Sequence, residues 1–173
     1  MREPQQLHVH FNFHPERCVG CDACVAACLD EQDNLPVVKA PLRRVYRYEQ
    51  ARGGKGSLGW YSVACLHCDD RGCVAACPKG CLTPDAATGT VQLDSTDCIG
   101  CRACAGACRF DGIVFDNGKA AKCDGCLKRL RQGQLPRCVE ACPRHAITID
   151  DRPPVRGEGR KELLRVLKKK RLC

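Results

Sequence analysis

Four runs of cysteine carry the chemistry of this sequence. The first is Cys18-Val19-Gly20-Cys21-Asp22-Ala23-Cys24-Val25-Ala26-Ala27-Cys28. The second is Cys65-Leu66-His67-Cys68, four residues, then Cys73-Val74-Ala75-Ala76-Cys77-Pro78. The third is Cys98-Ile99-Gly100-Cys101-Arg102-Ala103-Cys104-Ala105-Gly106-Ala107-Cys108. The fourth is Cys123-Asp124-Gly125-Cys126, eleven residues, then Cys138-Val139-Glu140-Ala141-Cys142-Pro143. Each opens on Cys-x2-Cys and closes on Cys-x3-Cys, so the groups form an internal repeat. Thiolates at such spacing are soft metal ligands, suited to zinc or to iron–sulfur clusters.

The spacing separates the two. A lone Cys-x2-Cys suits a zinc tetrahedron. The first and third groups instead carry Cys-x2-Cys-x2-Cys-x3-Cys, the bacterial ferredoxin run. In it three thiolates grip one [4Fe–4S] cube and the fourth reaches to another. Gly20, Gly100 and Gly125 allow the close backbone approach such a loop needs.

Composition agrees with a metal protein. Eighteen cysteines in 173 residues indicate a disulfide scaffold or a metal protein. No apolar leader precedes the first group and no run of about 18 apolar residues is present, so the expected place is the reducing cytoplasm, or export alongside a signal-bearing partner. Aromatic residues are only 5% of the chain, which leaves little conventional core. The formal charge of +8 invites a nucleic-acid reading. Sixteen ligating thiolates and four oxidised cores of +2 cancel it, so the basic surplus balances the cofactors.

The elements that must position these groups are short. Leu7–Phe13 alternates and reads as a strand before the first group; Ala146–Asp150 reads as a strand after the fourth. Trp60–Ala64 precedes the second group and Gly112–Asp116 follows the third. A ferredoxin unit pairs its first and last strands, which joins group one with four and group two with three. Leu82–Pro84 and Val91–Leu93 flank a hairpin signal at Ala87-Thr88-Gly89. The stretch from Cys108 to Cys123 looks short for a similar hairpin. Four ligand sets follow: Cys18, Cys21, Cys24 and Cys142; Cys28, Cys123, Cys126 and Cys138; Cys65, Cys68, Cys73 and Cys108; Cys77, Cys98, Cys101 and Cys104. The expected fold is α+β: two bacterial two-cluster ferredoxin-like units, one inserted in the other. Residues 1–59 and 117–151 form the outer unit, with a basic hairpin arm at 39–58. Residues 60–116 form the inserted unit, and 152–173 a basic tail.

The order of the groups resembles the four-cluster electron-transfer subunit of the dimethyl sulfoxide reductase family. Lys122-Cys123-Asp124-Gly125-Cys126 and Cys138-Val139-Glu140-Ala141-Cys142-Pro143 are especially close to it. The likeness spans about residues 9–150 and extends to the small polyferredoxin subunit of tungsten aldehyde oxidoreductases. It implies four [4Fe–4S] clusters and no substrate chemistry on this chain. It implies electron relay between a molybdenum- or tungsten-pterin catalytic subunit and a flavin (NAD-linked), ferredoxin or membrane quinone-linked partner. Copies of the chain are a further partner class. Cys101 stands where relatives with one [3Fe–4S] cluster carry an aromatic, so four full cubes are implied. Arg109-Phe110 follows Cys108 where Pro and an aromatic are usual.

Other residues have blander readings. Cys81 and Cys173 are left over, as a small buried thiol and a chain end. His67 reads as a hydrogen-bonding or exposed loop residue. His8, His10 and His14 read as an edge or solvent face. Lys39, Arg43, Arg44, Arg47, Arg52 and Lys55, interleaved with Tyr46 and Tyr48, suit an arm that docks a partner. A helix over 160–172 would be basic on one side. The rival readings are a nucleic-acid-binding or regulatory protein with structural clusters, and a zinc-loaded interaction module.

Overall fold

The computed structural model describes residues 9–32, 41–52 and 55–150. His8, Lys39, Cys173 and the basic segment 152–173 lie outside them. The described chain runs β1 (His10–Phe13), α1 (Ala23–Gln32), β2 (Arg44–Arg52), β3 (Lys55–Val63), α2 (Gly72–Ala75), β4 (Leu82–Pro84) and β5 (Val91–Leu93). It continues with α3 (Ala103–Ala107), β6 (Ile113–Asp116), β7 (Lys119–Lys122), α4 (Leu127–Arg131), α5 (Arg137–Glu140) and β8 (Ile147–Asp150). This is a small mixed α/β arrangement of short elements. Its strands form four two-stranded antiparallel sheets: β1–β8, β2–β3, β4–β5 and β6–β7.

The first and last strands pair over the whole of β1, from His10 opposite Asp150 to Phe13 opposite Ile147. This closes the chain into a loop and brings the first and fourth cysteine groups together. α1 packs beside α5 for the same reason. β4 and β5 form the expected hairpin, with Pro84 opposite Val91.

The pairing expected between Trp60–Ala64 and Gly112–Asp116 is replaced by two local hairpins. Residues 60–63 are the end of β3, which already pairs with β2 from Arg44 opposite Val63 to Arg52 opposite Lys55. Ile113–Asp116 pairs with β7 through Asn117 and Gly118. Their φ angles of 47° and 77° are the two left-handed positions of a two-residue turn suited to twisted strands. The stretch between Cys108 and Cys123 therefore does hold a hairpin.

The interior is divided into small pieces. One cluster gathers Val9, Phe11, Cys24, Leu130, Cys138 and Ile147. Another holds Leu82, Val91, Cys104, Ile113 and Ala120. Tyr61, Val63 and Phe110 form a third, with Cys68 and Cys108 packed against it. Every one of these clusters contains or touches cysteine, so the apolar surface mainly walls the thiols. The arm folds back on this interior: the Tyr48 and Tyr61 rings lie 4.8 Å apart and Phe13 meets Tyr61 at 5.6 Å. The tyrosines therefore do not line an open groove.

Candidate iron–sulfur centres

The repeat in sequence is a repeat in backbone conformation. Gly20 and Asp22 in the first group have φ of 68° and 58°; Gly100 and Arg102 in the third have 66° and 64°. His67 takes the same left-handed position in the second group, at 49°. A side chain at Gly20 would collide with the Trp60 ring, and one at Gly100 with the Gly118 carbonyl oxygen. These loops are pressed against the β3 arm and the β6–β7 turn, where only glycine fits.

A second device recurs at the last cysteine of three groups. The amide four residues on donates to its sulfur: Cys81 to Cys77 at 3.3 Å, Gly112 to Cys108 at 3.3 Å, and Ala146 to Cys142 at 3.2 Å. In each case the preceding residue is left-handed: Gly80, Asp111 or His145. Arg109-Phe110 after Cys108 therefore keeps the geometry that Pro gives elsewhere. The first group departs from this pattern. There α1 runs on to Gln32, and the Gln32 side-chain amide donates to Cys28 Sγ at 2.9 Å. The amides of His67, Gly125 and Ala120 donate to Cys65, Cys123 and Cys98 at 3.4, 3.3 and 3.4 Å. Such bonds stabilise sulfur carrying negative charge.

Two hollows collect the outer thiols. One holds about 330 Å³ of space open to solvent and is lined by Cys18, Cys21, Cys24 and Cys142. The other holds about 340 Å³ and is lined by Cys77, Cys98, Cys101 and Cys104, with Cys81 beside them. Each brings three cysteines of one run together with one from another group. Four thiols lining one hollow, drawn from two cysteine groups, suit a compact inorganic group bound only through sulfur.

The remaining eight cysteines line neither hollow. Burial lifts the Cys28 thiol to about 11, with Cys138 and Cys24 adding to the rise. Burial lifts Cys126 to about 12, with Asp124, Cys138 and Cys28 adding to it. Burial and then Cys28 and Cys65 hold Cys123 well above its ordinary value. Burial also raises Cys73, followed by the charges of Cys65 and Cys108. So Cys28 and Cys138 are within electrostatic reach of both Cys123 and Cys126, Cys65 and Cys108 of Cys73, and Cys65 of Cys123. Metal-free, the raised thiols stay protonated, and loading them releases protons. Among the described residues no three donors close on a point as they would around a single ion.

The other singled-out residues fall as follows. Cys81 is 7% exposed. His67 is buried, and its Nδ1 accepts the Val91 amide at 2.9 Å. His14 Nε2 lies 3.3 Å from Thr148 Oγ1. His10 is buried, against the expected solvent face, because β8 covers β1. Arg47 is exposed and pairs with Glu49 at 2.6 Å, whereas Arg44 turns in to Asp111 at 3.3 Å. Arg43 leaves the arm's surface altogether and is 4% exposed.

Comparison with known proteins agrees with this geometry. The family described as the 4Fe-4S dicluster domain matches residues 58–152, which hold the second, third and fourth cysteine groups. This chain belongs to that 4Fe-4S family. It is 38% identical over 148 residues to the B polypeptide of the anaerobic dimethyl sulfoxide reductase of Haemophilus influenzae, covering 79% of this chain and 71% of that one. It is 36% identical over 163 residues to the thiosulfate reductase electron transfer subunit PhsB of Salmonella typhi, covering 88% and 83%. Protein NrfC of Escherichia coli is 38% identical over 135 residues, covering 76% and 60%. The family resemblance read from the cysteine groups is thus shown. Three residues of this 4Fe-4S protein are not legible in the sequence as parts of the site: Gln32, Arg43 and Ser62. An amide four residues after a ligand is the signal for Gln32; burial of the other two arises only in the fold.

Proposed function

We propose that the chain relays single electrons through four [4Fe–4S] clusters. It would link a molybdenum- or tungsten-pterin catalytic subunit with a flavin, ferredoxin or quinone-linked partner in the cytoplasm. It is the non-catalytic, iron–sulfur electron-transfer subunit of a reductase complex. The four ligand sets are those given by the cysteine spacing, nested as an inserted unit within an outer one. The observation that carries this reading is the gathering of cysteines from two different groups around each hollow. Each cluster, bound by four thiolates, accepts one electron and returns it. The protein's part is to leave no iron open to substrate, to hold the sulfurs with amide hydrogen bonds, and to exclude water from the middle sets.

Cys65 of the third set is within electrostatic reach of Cys123 of the second, Cys24 of the first is within reach of Cys28, and Cys73 and Cys108 pack against the apolar cluster that holds Cys104 of the fourth. This supports an order of first, second, third and fourth set. Cys21 and Cys101 are exposed at the two ends, where electrons would enter and leave. Among the described residues no helix is long and apolar enough to cross a membrane.

Iron and sulfide analysis tests the cluster count, with about sixteen of each expected per chain. A broad brown absorption bleached by dithionite should accompany them. Iron near four per chain, or zinc in its place, refutes the reading. Co-purification tests the partners: a pterin-bearing subunit is expected, and a nucleic acid retained at high salt would overturn it.

A further inference from the structure

Two cations lie inside the molecule, and neither belongs to the thiol sets. Arg43, just before β2, is 4% exposed, and Lys122, at the end of β7, is 6% exposed. Among the described residues neither forms an ion pair with Asp or Glu. A buried charge without a countercharge costs several kcal/mol, about enough to unfold a marginal domain. Negative charge must therefore lie close to both.

The neighbours of Arg43 supply it. Its Nη1 donates to Ser62 Oγ at 2.8 Å, and Ser62 Oγ lies 3.4 Å from Cys24 Sγ. Burial works against its charge, and Cys138, Cys123, Cys24 and Cys28 favour it. Cys24, which Arg43 reaches through Ser62, belongs to the first set, and the other three belong to the second. Lys122 lies beside Cys123 of the second set and within electrostatic reach of Cys73 of the third. Its Nζ donates to the Cys123 carbonyl at 2.6 Å and also to the Val91 carbonyl.

The Val91 contact has a structural origin. Val91 stands opposite Pro84, and the hairpin's hydrogen bonds fall on either side of that pair, as in Asp85 N to Thr90 O at 2.8 Å. The polar groups of Val91 therefore turn away from β4. Its N–H goes to His67 and its C=O to Lys122. Carbonyls orient the ammonium but do not neutralise it.

We propose that Arg43, where the first and second thiol sets meet, and Lys122, beside the second, are internal countercharges of the inner thiols and raise the reduction potential of the clusters nearest them. This rests on the reading that these sets hold [4Fe–4S] clusters. Four thiolates on an oxidised core give a net charge of about −2, and one added electron makes it about −3. No bond forms or breaks and no proton moves. A fixed cation in a dry interior attracts the more negative state more strongly, which favours reduction. Arg102 and Arg144 line the two hollows but are exposed, so water and salt screen them. The buried cations thus act on the middle of the relay.

The test is a potentiometric titration of the iron-loaded chain followed by electron paramagnetic resonance, with iron analysis in parallel. Arg43→Gln removes the charge and Arg43→Lys keeps it. In Arg43→Gln at least one of the four potentials is expected to fall by about 59 mV or more, a tenfold shift toward the oxidised form. Arg43→Lys should restore most of it. Four unchanged potentials in fully loaded Arg43→Gln overturn the proposal, as do equal shifts in both variants. If Arg43→Gln does not hold iron, Lys122→Gln and Lys122→Arg are compared in the same way. Loss of iron in the charge-keeping variants as well assigns the residues to packing and overturns it. Wild-type iron far below about sixteen per chain is a separate result, the failure of the four-cluster reading.

Discussion

Cys21 and Cys101, at the two hollows, are exposed, with Val19 51% and Ile99 63% exposed beside them. Cys28, Cys123 and Cys138 of the second set are buried. Backbone geometry does not make this difference, because the loops share their left-handed positions. What differs is the cover. Strand β5 reaches the loop of the fourth group, where Gln92 Nε2 donates to the Asp124 carbonyl at 3.0 Å, and the ends are left to water. The middle then needs charge supplied from within, and the ends do not.

Replacing one cysteine at each kind of site should break or hold this contrast most strongly. Cys123→Ser is expected to lower iron from about sixteen to about eight or fewer per chain, because neighbouring buried sets lose their wall. Cys101→Ser should keep about twelve or more. Iron analysis reads both, and equal losses would erase the distinction.

Within the fourth set a glycine pair separates backbone strain from crowding. Gly80 has a φ of 63° and nothing within 4 Å of an added side chain, whereas one at Gly100 runs into a carbonyl oxygen. Gly80→Ala should cost about 1–2 kcal/mol by conformation alone. Gly100→Ala should cost about 3 kcal/mol or more, since backbone must move as well. Chemical denaturation of the loaded chain measures the gap; equal costs would mean that the β6–β7 turn yields freely.

A smaller effect concerns the sulfur bond that alone comes from a side chain at the fourth position. Gln32→Leu should destabilise the reduced second cluster by about 1 kcal/mol, seen as a lower potential in one signal only. A shift shared by all four signals would point to a general loosening instead.

The smallest is a pH effect at the hairpin's tip. Burial raises the Asp85 carboxyl, but the Thr88 hydroxyl and amide, both at 2.9 Å, and Arg131 at 2.6 Å outweigh it and hold it low. Stability from a depressed carboxyl is present above its unfolded value, about 3.9, and fades as pH falls through the folded one. Asp85→Asn should therefore cost about 0.5 kcal/mol at pH 7 and progressively less in acid, since Arg131 is largely exposed. Thermal unfolding at pH 7 and at acid pH reads this; a constant difference would exclude the carboxylate charge as its source.

The sequence was legible where one local rule acted alone. Cysteine spacing identified the groups, and alternation identified β1 and β8. The β6–β7 hairpin was missed although Asn117-Gly118 announced it, because the stretch was judged by length. Arg43 was read with its basic neighbours as surface. Nothing within a few residues distinguishes it from Arg44 or Arg47; the groups that favour its buried charge are thiols far along the chain, such as Cys138 and Cys123. Lys122 is likewise hidden by a carbonyl that Pro84 turns toward it from another hairpin.

The two hollows also differ in when they can exist. The one lined by Cys77, Cys98, Cys101 and Cys104 is built from a continuous stretch. The one lined by Cys18, Cys21, Cys24 and Cys142 draws on residues near both extremes of the described chain. During translation the first of these is complete once Ala120 has left the ribosome, while Cys18, Cys21 and Cys24 must wait, reduced and uncovered, until Cys142 emerges. The oldest of these thiols in the nascent chain are thus the last to be enclosed, and they are the ones that cellular oxidants have longest to reach.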